Sequence, residues 1–221
     1  MNQTKAALNT TNQLDKPHPK YRNVIFDLGG VLINFKPEEI IEKTFEHHKE
    51  KPWYLMDVIR AKEFAEIDRG VLTPEQALHA IAPRFPYDNF HNNYLTFFKA
   101  IVDGLEPLSK GVNILHNVRT KGFKTYILSN LFDTTHNRIS AYEFLTLFDG
   151  AIFSYQVKLV KPDPEIYKTL LTRYNLQADE CIFIDDLEPN IHGAQSVGID
   201  GILCKDHDYV LEELKKRRII E

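Results

Sequence analysis

At four places along this 221-residue chain an apolar run leads directly, or within a few residues, to a side chain that can do chemistry. Asn23-Val-Ile-Phe stops at Asp27, just before Gly29-Gly30. Lys124 to Leu128 stops at Ser129-Asn130. The run from Gly150 is followed closely by Lys161, and Cys181 to Ile184 stops at Asp185-Asp186. A carboxylate can attack an electrophilic centre or hold a hard cation through oxygen. A hydroxyl, an amide and an ammonium are the usual donors to phosphate oxygens. The set therefore suits phosphate, a hard cation, or both.

Short apolar runs ending at turn residues suit buried parallel strands. Such strands are expected at 23–27, 124–129, 150–154, 181–185 and 198–204, each followed by a helical segment, which predicts a mostly parallel sheet. In such sheets ligands bind at the carboxyl ends of strands, near a switch in strand order. All four polar groups belong to those ends. From Pro37 to about Ala100 the periodicity is helical and no strand is evident. Glu38-Glu39 occupies the first turn of one helix, Thr73-Pro74-Glu75-Gln76 opens another, and Asp103-Gly-Leu-Glu-Pro107 breaks the pattern. The expected architecture is a doubly wound α/β core, residues 21–35 and 105–221, interrupted by a helical insertion over residues 36–104.

Taken singly, an Asp-Asp pair or a Ser-Asn pair is an ordinary turn or helix cap. Their order is what matters. Phe26-Asp-Leu-Gly-Gly-Val-Leu32, Leu128-Ser-Asn130, Lys161-Pro-Asp163 and Ile184-Asp-Asp-Leu-Glu-Pro-Asn190 resemble the four ordered motifs of the haloacid dehalogenase superfamily. The insertion resembles the C1 cap of its subfamily IA, and the likeness covers residues 22–221. The resemblance implies a Rossmann-like core and a Mg2+-dependent phosphatase of a small phosphorylated metabolite, with Asp27 as the nucleophile that forms an aspartyl-phosphate. It implies that Mg2+ is held by the Asp27 and Asp186 carboxylates and the Gly29 backbone carbonyl. Asp185 would stand behind the ligands or act through water, and Asn190 would steady the same loop. Ser129 and the Asn130 backbone N–H would bind phosphate, and Lys161 would join the phosphoryl group to Asp27. Within the insertion, Glu66-Ile-Asp-Arg-Gly70 resembles a recurrent cap segment and offers Arg69 as a substrate-binding residue. Phe35, Trp53 and Tyr54 are further candidates for substrate contact.

One position departs from the family pattern. Most phosphatases of the superfamily carry a second Asp two residues after the nucleophile, as general acid and base; this chain has Gly29. A branch resembling sugar-1-phosphate phosphatases also reads Asp-Leu-Gly, and an anomeric leaving group is acidic enough to need little protonation. A glycosyl phosphate such as a sugar 1-phosphate, or an activated ester such as an aryl phosphate, is therefore the expected substrate, with Asp27 depending on substrate or solvent for protons. Two other readings of the scaffold are a metal-independent 2-haloacid dehalogenase and a non-catalytic phosphate-binding module.

Composition narrows the partners. A formal net charge of −4 argues against nucleic-acid binding, which needs clustered positive charge. Lys215-Lys-Arg-Arg218, the one dense basic run, reads as a helix end whose cations complement the dipole. No segment reads as a membrane span, so no membrane partner is expected, and the chain is expected to be cytoplasmic, as a monomer or homodimer. Cys181 and Cys204 lack the spacing of a zinc site and are expected as buried thiols. His136 and His192 fall on helices that follow strands, as surface or site-flanking groups. Residues 1–20, polar and without an apolar run, are expected to be a mobile leader.

Overall fold

The computed structural model describes residues 20–221; residues 1–19 of the expected leader lie outside the described residues. Strands β1 (Asn23–Phe26), β2 (Lys124–Ser129), β3 (Gly150–Phe153), β4 (Cys181–Asp185) and β5 (Asp200–Leu203) form one parallel sheet in the order β3-β2-β1-β4-β5. The expected strands are all present. Three are shorter than expected, β1 by the single residue Asp27, which lies just past the strand end. Ser154 opens a helix instead of ending β3, and the φ of +91° at Gly198 belongs to a turn before β5.

Period-two alternation explains how the sheet is buried on both faces. Val24, Phe26, Ile182 and Ile184 point to one face, under helices α6 (Ser109–Thr120) and α11 (His207–Lys216). Ile25, Tyr126, Leu128 and Phe183 point to the other, under α9 (Pro164–Tyr174) and α10 (Glu188–Ser196). β1 sits in the centre, with Phe26 registered against Ile127 and Ile184. From β1 the chain builds outward through β2 and β3, then returns to β4 on the opposite side. The switch in strand order falls at β1, and Asp27 leaves the sheet there, its N–H donating to the Ile184 carbonyl at 2.9 Å.

Between β1 and β2 lie α1 (Pro37–Thr44), α2 (Leu55–Arg60), α3 (Lys62–Asp68), α4 (Pro74–Ile81) and α5 (Phe90–Asp103). Thr73 and Gln76 form the reciprocal capping box at the start of α4 that their spacing predicts. The first four helices are too short to persist alone. They are held by a shared apolar cluster that includes Ile41, Leu55, Leu78, Tyr94 and Phe97. Phe132, which follows β2, joins this cluster against Phe98 at 5.9 Å between ring centroids. α7 (Asp133–Ile139) and the single turn α8 (Ser154–Val157) complete the description. Both cysteines are buried and free. No helix among the described residues is long and apolar enough to cross a membrane.

A polar latch ties the helical segment to the sheet. Ser154 Oγ, fully buried, donates to the Asp68 carbonyl at 2.6 Å and accepts from Leu131 N–H at 2.9 Å. Lys158 Nζ donates to the Gly70 carbonyl at 2.6 Å. Replacing Ser154 with Ala leaves buried backbone groups unpartnered, so chemical denaturation of Ser154→Ala should show a loss of about 1–3 kcal/mol.

Candidate active site

The carboxyl edge of the sheet and the helical segment enclose a cavity of about 600 Å³. Asp27, Gly29, Ser129, Asn130, Lys161, Asp186 and Asn190 all line it. Lys161 is the centre. Its side chain is 1% exposed, and its Nζ lies 2.9 Å from Asp27 Oδ1 and 2.6 Å from Asp185 Oδ2. Its backbone is held equally firmly, because the Asn130 amide accepts from Lys161 N–H at 2.8 Å and donates to the Lys161 carbonyl at 3.1 Å. The Asn130 side chain therefore positions the lysine.

The two carboxylates after β4 divide their work. Asp185 is fully buried and saturated, taking donors from Lys161, the Leu187 N–H at 2.8 Å, and Asn190 Nδ2 at 2.9 and 3.1 Å. Asn190 is itself anchored by Tyr167, whose hydroxyl donates to its carbonyl at 2.7 Å. Asp186 instead faces the cavity. Asp27, Asp185 and Asp186 bring oxygens within 4.8 Å of one another. Asp27 Oδ1 is buried and, despite its ion-pair distance to Lys161, accepts no well-directed hydrogen bond. An oxygen-rich set of this kind fits a hard divalent cation such as Mg2+.

The loop after β1 is shaped to admit Asp186. Gly30 has φ +68°, and a Cβ there would fall 2.3 Å from Asp186 Oδ2. Gly29 is different: a Cβ there would meet only Phe35, at 3.5 Å. The missing side chain at position 29 is therefore not imposed by space.

Charge crowding shifts the acids. Burial, with repulsion from Asp185 and against the pull of Lys161, raises Asp27 to about 6. Burial, with repulsion from Asp27 and Asp185, raises Asp186 to about 7. For Lys161 burial acts downward, but Asp185 and Asp27 outweigh it and hold the ammonium above its ordinary value.

Arg69 does not join this group. It lies 3.6 Å from Glu66 and is absent from the cavity wall; the residue of that segment that lines the cavity is Asp68. Successive helical residues point about 100° apart, and here Asp68 takes the cavity side while Arg69, the C-cap of α3, lies beside Glu66. The signal was present in the sequence: Asp68 is four residues after Phe64, another wall residue, and i and i+4 share a helix face. Phe35 lines the cavity, whereas Trp53 is exposed and Tyr54 stacks on Tyr87 at 4.2 Å. No histidine among the described residues lines it; His136 hydrogen-bonds Tyr155 at 2.8 Å and His192 is exposed.

Residues 21–198 match the family model for haloacid dehalogenase-like hydrolases, and the chain belongs to that family. It is 27% identical over 198 residues to a sesquiterpene phosphatase of Aspergillus oryzae, covering 89% of this chain and 96% of that protein. A phosphorylated carbohydrates phosphatase of Thermotoga maritima is 28% identical over 188 residues, covering 81% of this chain and 82% of the other. Several other curated relatives are longer, and the chain spans about a fifth of their length. Among solved structures, a haloacid dehalogenase family enzyme of Bacteroides thetaiotaomicron in complex with magnesium and inorganic phosphate superposes with a TM-score of 0.63 at 25% identity, over 83% of this chain and 93% of the other.

Two outcomes test this geometry. Gly30→Ala should abolish cation binding by isothermal titration calorimetry, because it displaces the Asp186 carboxylate. The second concerns pH. Asp27 and Asp186 stand above their ordinary value of 3.8, so between that value and about 6–7 the folded protein binds more protons than the unfolded chain. Their contribution to stability is present at low pH and lost as pH rises through about 6–7. Thermal melts of the cation-free protein should fall across that window, and added Mg2+ should raise Tm more at about pH 8 than at about pH 5.

Proposed function

We propose that the protein is a Mg2+-dependent phosphomonoester hydrolase that transfers the phosphoryl group of a small metabolite to Asp27 and then to water. The observation that carries this reading is the buried Lys161–Asp27 ion pair in a cavity that also presents Asp186 and the Ser129 hydroxyl. In this reading Asp27, Asp186 and the Gly29 carbonyl hold the cation, and Asp185 orients Lys161 and the loop. The bound cation supplies the positive charge that lets a carboxylate approach a phosphate dianion. Ser129 and the Asn130 backbone N–H donate to phosphate oxygens, while Lys161 keeps Asp27 aligned and balances charge as the phosphoryl group moves. Helices α1 to α5 act as a cap over residues 36–104, in the manner of subfamily IA, and choose the alcohol.

The cap side of the cavity favours an apolar alcohol. Phe35, Met56, Ile59, Phe64, Ile101 and Phe132 line it, beside the polar groups Lys36, Glu38, Arg60, Asp68 and Thr135. Sugar hydroxyls set against those six side chains would lack partners, and each unpartnered group costs free energy. The relative named for sesquiterpenes supports the same choice. A hydrocarbon phosphate ester therefore fits better than the sugar 1-phosphate expected from Gly29.

The test is hydrolysis of a prenyl monophosphate, such as farnesyl phosphate, beside glucose 1-phosphate and glucose 6-phosphate. Burying two or more methylenes is worth above about 1.4 kcal/mol, so kcat/KM for the prenyl ester should exceed both sugars by at least roughly tenfold. EDTA and Asp27→Asn should each abolish turnover. A sugar ester turned over faster would refute the apolar substrate alone. Chloride release from a 2-chloroacid in EDTA would refute the phosphatase and favour the dehalogenase; no turnover of any ester would favour a binding module.

A further inference from the structure

Two cavity carboxylates fall outside the four motifs, Glu38, which is exposed, and Asp68, which is half-buried. Asp68 ends α3, a helical turn beyond Phe64, and lines the same cavity as Asp27 and Lys161. Its height above the sheet edge is fixed by the core. Ser154 Oγ holds its carbonyl at 2.6 Å, and Lys158 holds the Gly70 carbonyl two residues on. Ser154 also holds Leu131, just past Ser129-Asn130. The position of Asp68 is thus referenced to the phosphate-facing loop.

Among the described residues no cation forms an ion pair with it. Lys161, the ammonium whose charge it feels, is already paired with Asp27 and Asp185. Burial, with repulsion from Asp27 and partial relief from Lys161, raises the Asp68 carboxyl to about 7. Both protonation states are then accessible near neutral pH, as acid–base work requires. The other charged groups facing the cavity are Asp186 from the β4 loop and Lys36, Glu38 and Arg60.

We infer that Asp68 is the general acid and base of this site, supplying from the helical segment the proton chemistry that Gly29 cannot. The inference rests on the phosphatase reading. As an Asp27 oxygen bonds to phosphorus, the bond from phosphorus to the ester oxygen breaks, and the Asp68 proton passes to that oxygen to release the alcohol. Asp68, now a carboxylate, takes a proton from water as the water oxygen bonds to phosphorus. The bond to Asp27 breaks, inorganic phosphate leaves, and both carboxyl groups return to their starting states.

The experiment compares wild type and Asp68→Asn, with Mg2+, on an alkyl phosphate and on 4-nitrophenyl phosphate, whose leaving group needs little protonation. kcat/KM reports the steps up to departure of the alcohol. For the alkyl ester it should fall roughly 10²–10⁴-fold in Asp68→Asn, and for the aryl ester less than about tenfold. The basic limb of the wild-type pH profile for the alkyl ester should vanish. With 4-nitrophenyl phosphate the variant should release a burst of 4-nitrophenolate, because water attack becomes slow. Asp68→Asn/Gly29→Asp should recover part of the alkyl activity. Equal losses on both esters, or no loss, with an unchanged pH profile, would overturn the role of Asp68 while wild-type turnover leaves the phosphatase reading standing. Absence of wild-type turnover would remove both.

Discussion

One buried ammonium facing several carboxylates is the constraint on which this site depends. Lys161 bridges Asp27 and Asp185, while Asp186 and Asp68 line the same cavity. Were all four acids ionised, one lysine would leave a large excess of negative charge in a poorly solvated space. Removing either side of such a pair strands a buried charge, at a cost of about 3–5 kcal/mol. The remaining imbalance is relieved by protons, which is why Asp27, Asp68 and Asp186 all stand above their ordinary range, or by a cation. A site built this way gains electrostatic free energy when a divalent cation enters.

The fold supplies that crowding through topology. Because the strand order switches at β1, Asp27 emerges between the ends of β2 and β4, beside Ser129 and Asp185. Asn130 and Asn190 then convert loops into fixed supports, one holding the Lys161 backbone and the other the Asp185 carboxylate. The helical segment closes the space with apolar side chains, strengthening every charge interaction beneath it. Ser154 and Lys158 set how closely α3 approaches.

Much of this was legible in the chain because it is local. Apolar runs ending at Asp27, Ser129 and Asp185 mark strand ends whatever packs around them, and Thr73 and Gln76 announce a capping box by spacing alone. What was not legible depends on packing between segments. Arg69 looked apt for an anionic substrate, yet helix geometry turns it toward Glu66 and gives the cavity to Asp68. Asn130 was expected to serve phosphate through its backbone, while the structure commits its side chain to Lys161. That Asp68 of α3 lines the same cavity as Gly29 was not legible either, because the two are 39 residues apart and meet only through packing. The apolar cavity wall is likewise assembled from residues distant in sequence.

The central claim is that Asp27 carries the phosphoryl group, and trapping that state tests it most directly. Wild-type protein mixed with Mg2+ and a substrate ester, quenched in acid within a turnover and digested, should yield a hydroxylamine-labile phosphoryl modification on the peptide containing Asp27. A modification on any other residue, or full turnover with no covalent phosphate on that peptide, would contradict it.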